Sequence, residues 1–216
     1  GGYQVINFPR TLEVSSNIGV SRIIDDHYHN HPEKFVEGIY RTGLASDLHL
    51  PIAGSTPPRI RMPKKNSRGQ YVNWSKTALA WMSIGYETQI PPISTVTFYN
   101  AIANNGKMMK PRFISKVMKN GEVVKEFPPE VIKPQICKEK TVKLMQVILE
   151  HVVSQGLGRK AGSKSFKVAG KTGTAQVSQG AGGYKTGVTN YLLSFAGYFP
   201  ADNPRYSCIV CIQKSG

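Results

Sequence analysis

The sequence predicts an α+β fold, with antiparallel sheet strands packed on helices beside a mainly helical subdomain. Three observations carry this. Apolar residues recur at helical spacing over 138–154, at Val142, Met145, Ile148, Leu149, Val152 and Val153. A run of small and β-branched residues over 167–176 follows and reads as a strand. Two further strand-type runs, 191–199 and 206–213, are joined only by Pro200-Ala201-Asp202-Asn203-Pro204, which makes them an antiparallel pair beside the first. With 216 residues the chain is long enough for one domain with a sizeable core.

In chain order, residues 3–12 read as a short mixed segment. Ser15, Ser16 and Asn17 then precede the run Ile18, Ser21, Arg22, Ile23 and Ile24, which places them at the mouth of a helix. An ordinary N-cap is the plainer use of these three. Over 32–44, Phe35, Val36, Ile39 and Tyr40 form one apolar face, and Gly43 suits the stop. Residues 50–76 are rich in proline, glycine and basic side chains, a long surface loop and the natural wall of a cleft. Residues 78–84 are apolar and Gly85-Tyr86-Glu87 turns the chain. Pro91-Pro92 then opens a helix over 93–103 that ends at Asn104-Asn105-Gly106, with Val96, Tyr99, Ala101, Ile102 and Ala103 as core candidates. Asn120-Gly121 between two β-prone arms predicts a hairpin with a type I′ turn that decorates the domain. Gly156 ends the 138–154 helix, which should pack beneath the strand carrying Lys171.

The formal charge is +15, with basic residues clustered at Arg59, Arg61, Lys64, Lys65 and Arg68. Such a cluster attracts polyanions, but no aromatic residues are interleaved as stacking platforms, so no nucleic-acid partner is expected and the cluster reads as a solvated face. Cys137, Cys208 and Cys211 cannot all pair internally. Cys208 and Cys211 match C-x-x-C, yet on an alternating strand they face opposite ways, which favours structural burial over a redox pair. His27, His29 and His31 have no cysteine partners and precede Pro32, so they read as a polar connection, and neither metal nor cofactor is expected. No run approaches the roughly 20 apolar residues of a membrane span, and the first residues lack signal-peptide features, so any anchor or export signal is expected outside this chain.

The chemistry concentrates in Lys167-Val168-Ala169-Gly170-Lys171-Thr172-Gly173-Thr174-Ala175-Gln176. One ammonium, two hydroxyls and backbone N–H groups on an approachable strand are the donors needed to hold an anionic acyl donor and its tetrahedral oxyanion. Acyl transfer is the reaction suggested. A second Lys-Thr-Gly, at 185–187, follows a glycine-rich run that reads as a mobile loop, so the first copy is preferred.

With Ser15-Ser16-Asn17 and Lys171-Thr172-Gly173-Thr174 in this order, about 150 residues apart, the chain resembles the transpeptidase domain of bacterial penicillin-binding proteins, specifically the class B division or elongation type. That family carries S-x-x-K, S-x-N and K-[ST]-G in sequence. Gly85-Tyr86-Glu87 before a proline-opened helix, and the segment from Ser194 to Pro204, extend the likeness over nearly the whole chain. The sequence departs from the family in one respect: it contains no Ser-x-x-Lys, the motif of the nucleophile and its lysine base. The resemblance therefore implies a partial penicillin-binding-protein/β-lactamase-like transpeptidase fold. Residues 1–216 would be the later part of a single domain, truncated at both ends, with the 206–213 strand exposing an edge.

By the same resemblance, Ser15 would relay a proton between the catalytic lysine and the leaving amine, and Asn17 would bond the substrate amide and that lysine. Lys171 would raise the positive potential and bridge toward Ser15. Thr172 and Thr174 would bind the terminal carboxylate of an acyl-D-Ala-D-Ala stem peptide or of a β-lactam. The Thr174 N–H would supply half of an oxyanion hole, Gly173 would keep the strand open, and Ser16 and Gln176 would line the substrate. The resemblance implies a peptidoglycan D,D-transpeptidase at the bacterial cytoplasmic membrane, on its extracytoplasmic side, with stem peptides, β-lactams and cell-wall synthesis proteins as partners and membrane contact only through an absent anchor. Without the nucleophile, these residues alone are expected to be inactive. The alternatives are a β-lactamase or D,D-carboxypeptidase of the same fold, and a non-catalytic cell-wall-binding or sensor module.

Overall fold

The computed structural model describes residues 3–177 and 190–215. The segment expected to be mixed is instead a short helix, α1 (Phe8–Glu13). Asn7 caps it by accepting the Arg10 N–H at 2.9 Å, and Pro9 sits in the first turn, where no N–H partner is needed. Six residues are too few to show a helical period. The chain then bends through Ser15 into α2 (Asn17–Tyr28), whose N-cap is Ser16, its Oγ accepting the Gly19 N–H at 3.1 Å. After His29 to His31, α3 (Pro32–Thr42) starts on its proline and stops at Gly43, where φ of 84° suits a residue without a side chain.

The 50–76 segment is mostly irregular. It contributes β1 (Arg59–Ile60), which pairs with β2 (Thr88–Gln89) across the short helix α4 (Ala78–Ser83). Val36, Ile60 and Met82 form the core of this helical part, flanked by Phe35, Ile39 and Trp74. α5 (Pro92–Ala103) follows as predicted, but its buried residues are Ser94, Thr97, Ala101 and Ile102. Of the expected core positions Val96, Tyr99 and Ala103 are only half-buried. The helix is apolar on most sides, so periodicity could not choose its inward face. The Thr97 hydroxyl is satisfied by the Ile93 carbonyl at 2.7 Å.

β3 (Met108–Met109) leads to the hairpin β4 (Lys116–Lys119) and β5 (Glu122–Glu126). Its turn is left-handed at both Asn120 (φ 51°) and Gly121 (φ 84°), as a type I′ turn requires, and every residue of both strands is exposed. β6 (Val131–Lys133) returns to pair with β3.

α6 (Glu139–Ser154) buries Val142, Ile148, Leu149, Val152 and Val153, each worth about 1.5–3 kcal/mol relative to exposure. It packs under the sheet of β7 (Ala169–Val177), β8 (Asn190–Phe199) and β9 (Tyr206–Ser215). The order is β7-β8-β9, antiparallel throughout, with Lys171 opposite Ala196 and Ser194 opposite Cys211. Ala101, Ile102, Met108, Val142, Leu149, Ala169 and Tyr198 form the main core between α5, α6 and this sheet. Gly170 and Gly197 lie opposite each other, and the Phe195 ring occupies the space their side chains would need. Among the described residues β7 and β9 are the two edges of the sheet.

Candidate active site

Successive backbone groups of a strand point to alternate sides. The Lys167 carbonyl accepts the Ala201 N–H at 2.8 Å, on the β8 side, whereas the Gln176 N–H donates away from β8 to the Tyr86 hydroxyl at 3.2 Å. Thr172 and Thr174, in step with Gln176, therefore turn their backbone groups to the open edge of β7. On that edge the Thr172 carbonyl already accepts from Lys171 Nζ at 2.9 Å, and strand alternation sets the Thr174 N–H and carbonyl on the same edge.

On the opposite wall stands Ser15. Its N–H donates to the Leu12 carbonyl (3.1 Å) and the next N–H, of Ser16, to that of Thr11 (2.9 Å), which forces Ser15 to a left-handed φ of 51°. A serine rarely adopts that region, and here it aims the hydroxyl at β7. Lys171 Nζ donates to Ser15 Oγ at 2.7 Å, a contact across 156 positions of sequence. Burial holds the Lys171 ammonium below its ordinary pKa, and among the described residues no carboxylate pairs with it. The site thus has an unneutralised, partly desolvated cation, able to attract a substrate carboxylate.

The other residues singled out in the sequence lie around this contact. Asn17 is the exposed first residue of α2, two positions from Ser15, while Ser16 is occupied in capping that helix. Thr172 and Gly173 are half-buried and Thr174 is exposed. A Cβ at position 173 would stand 2.5 Å from Ser194 Oγ, so Gly173 lets the β8 hydroxyl come close to β7. Gln176 is half-buried beside Tyr86, whose ring meets Trp81 edge-on at 5.1 Å. In the sequence Tyr86 was legible only within Gly85-Tyr86-Glu87, as a turn and as part of the family likeness. Its place at the end of β7 depends on a contact across 90 positions that no local pattern announces.

The remaining sequence features lie elsewhere. Arg61 pairs with Glu87 at 2.7 Å and lies over Trp74, while Lys65 lies over Tyr71 and beside Glu33, so part of the basic cluster is held by neighbouring side chains rather than freely solvated. His27 and His29 bond backbone carbonyls of α2, and His31 meets Glu33. All three cysteines are free. Cys211 is exposed, contrary to the burial expected, because β9 is the outer strand. The second Lys-Thr-Gly and the glycine-rich run before it lie outside the described residues.

A groove between a serine at a helix mouth and a lysine on an open strand edge, set on this α+β frame, is the architecture of the penicillin-recognising serine acyltransferases. The chain belongs to the family of penicillin-binding protein transpeptidase domains, whose model matches residues 1–216. It is 33% identical to penicillin-binding protein PbpB of Mycobacterium tuberculosis over 205 residues, covering 89% of this chain and 27% of that protein. It is 27% identical to peptidoglycan D,D-transpeptidase FtsI of Escherichia coli over 212 residues, 98% of this chain and 32% of that protein. The crystal structure of penicillin-binding protein 3 from Mycobacterium tuberculosis complexed with ampicillin superposes with a TM-score of 0.76 at 27% identity, covering 97% of this chain and 45% of that one. The chain thus spans about a third or less of these two curated relatives.

Proposed function

We propose that these residues form the later part of a serine D,D-transpeptidase domain that cross-links peptidoglycan stem peptides outside the bacterial cytoplasmic membrane. The observation that carries this is the 2.7 Å bond from Lys171 Nζ to Ser15 Oγ beside an open strand edge, with no carboxylate neutralising the lysine among the described residues. A D-Ala-D-Ala terminus laid along β7 brings its carboxylate toward Lys171, Thr172 and Thr174, and its scissile carbonyl toward the Thr174 N–H. Ser15 then sits where a proton passes to the leaving amine, and Asn17 where the donor's amide is held. Gly173 and Ser16 keep the two walls in register, and Gln176 bounds the far end.

The acylated serine and its lysine base come from a Ser-x-x-Lys segment that is not among these 216 residues, so the chain alone forms no covalent adduct. A β-lactam imitates the same donor and occupies the same groove. Fluorescent penicillin is expected to label a polypeptide joining these residues to a Ser-x-x-Lys segment, and to leave the 216 residues unlabelled. A folded, nucleophile-bearing protein that stays unlabelled refutes this reading.

A further inference from the structure

Two halves of a site lying 156 positions apart need something that holds both. α6 touches each. Its middle packs under β7 through Leu149 and Ala169. Near its C-terminus, His151 Nδ1 lies 3.1 Å from Glu13 Oε1. A carboxylate only accepts, so the ring nitrogen carries the hydrogen. Glu13 is buried, 6% exposed, and it also accepts from Arg10 Nη1 at 3.0 Å. Its backbone carbonyl takes the Leu157 N–H at 3.1 Å, just beyond the end of α6. Gly156 permits that approach, because a side chain there would strike the same carbonyl. Glu13 is thus fixed by side chain and backbone to one helix end, two residues before the left-handed Ser15.

We propose that Glu13 and His151 are positioning residues that hold Ser15 against Lys171, with α6 as the brace between the walls of the groove. Among the described residues, the other hydrogen bonds of the 12–16 turn run within α1, to the start of α2 and to Lys171, none of them to α6. Without the Glu13 carboxylate, the Leu157 bond to the Glu13 carbonyl and the Lys171 bond to Ser15 are the long-range bonds left to oppose relaxation of the turn out of the left-handed region, and relaxation swings the hydroxyl away from β7.

Ser15 enters here in the role just proposed for it. The test, however, reads hydrogen bonds rather than activity, so it can fail while penicillin labelling succeeds, or the reverse. Amide exchange at Ser15, Ser16 and Leu157 and the side-chain nitrogen resonance of Lys171 are measured in the 216-residue chain and in Glu13→Ala, Glu13→Gln and His151→Phe. Glu13→Ala and His151→Phe are expected to speed exchange at Ser15 and Ser16 about tenfold while leaving the Ala101 and Ile102 amides unchanged. The Lys171 signal should move toward its position in Ser15→Ala. Glu13→Gln, which keeps a side-chain acceptor, should restore most of both. Should Glu13→Ala not fold, His151→Phe carries the test from a partly exposed position. Exchange that rises evenly over all amides, or an unmoved Lys171 signal, overturns the proposal.

Discussion

Ser15 combines a cost and a gain that substitution can separate. Its φ of 51° places a non-glycine residue in the left-handed region, at about 1–2 kcal/mol. Its hydroxyl accepts from the Lys171 ammonium at 2.7 Å, and a hydrogen bond to a charged group contributes about 1.5–3 kcal/mol. Ser15→Ala keeps the strain and loses the bond, so it should cost about 1.5–3 kcal/mol. Ser15→Gly loses the same bond but releases the strain. After the extra entropy that glycine carries in the unfolded chain, it should be about 0.5–1 kcal/mol more stable than the alanine variant. At about 2–4 °C per kcal/mol for a chain of this size, alanine lowers Tm by about 3–12 °C and glycine recovers about 1–4 °C of that. Scanning calorimetry reads both. Repeated in a Lys171→Met background, the loss on Ser15→Ala should shrink toward zero, while the difference between glycine and alanine persists. A glycine variant no more stable than the alanine one, or an alanine cost unchanged by removing Lys171, refutes the account of Ser15.

Further outcomes follow from the sheet and its lysine. Gly170→Ala should destabilise by about 1–3 kcal/mol in urea titrations, because the new Cβ stands 2.6 Å from the Ala196 carbonyl and against the Phe195 ring. Tyr198→Phe should raise Tm, since the Tyr198 hydroxyl is buried without a hydrogen-bond partner among the described residues and its removal relieves about 1 kcal/mol. The pH dependence of Lys171 has a definite sign. Desolvation lowers its folded pKa below the unfolded value, so in the window between the two the unfolded chain binds more protons, and the stability contribution of Lys171 rises with pH. Below the folded pKa the buried ammonium costs stability in full. Relative to Lys171→Met, the parent chain should gain stability as pH climbs through that alkaline window, and a flat difference between the two counts against a desolvated lysine.

Long, strongly patterned elements were readable from the residues. α3, α5, α6, the Asn120-Gly121 hairpin and all three strands of the main sheet fall where period, proline and glycine placed them. α1 was not readable, because its signal is an Asn7 cap over only six residues, and β1, β2 and β3 are two residues each, shorter than any period. Within the groove, Ser15-Ser16-Asn17 taken alone read more plainly as a helix cap, and the structure divides the tasks: Ser16 caps, while Ser15 turns away from the helix to meet Lys171. Glu13 and His151 escaped notice, and the place of Tyr86 beside β7 did too, because each gains its meaning from a partner roughly 90 to 140 positions away, and such pairings leave no mark on local composition.

The placement of Lys171 on β7 also sets an order of events during synthesis. β7 has β8 as its sole strand partner among the described residues, and β8 leaves the ribosome after it. A nascent chain that has emerged only as far as Gln176 already owns Ser15, α6 and the lysine, yet β7 has not met the strand that holds it extended. The groove is therefore completed only once β8 follows β7, and stalling between these two strands would yield a largely helical intermediate in which Lys171 is not yet set opposite Ser15.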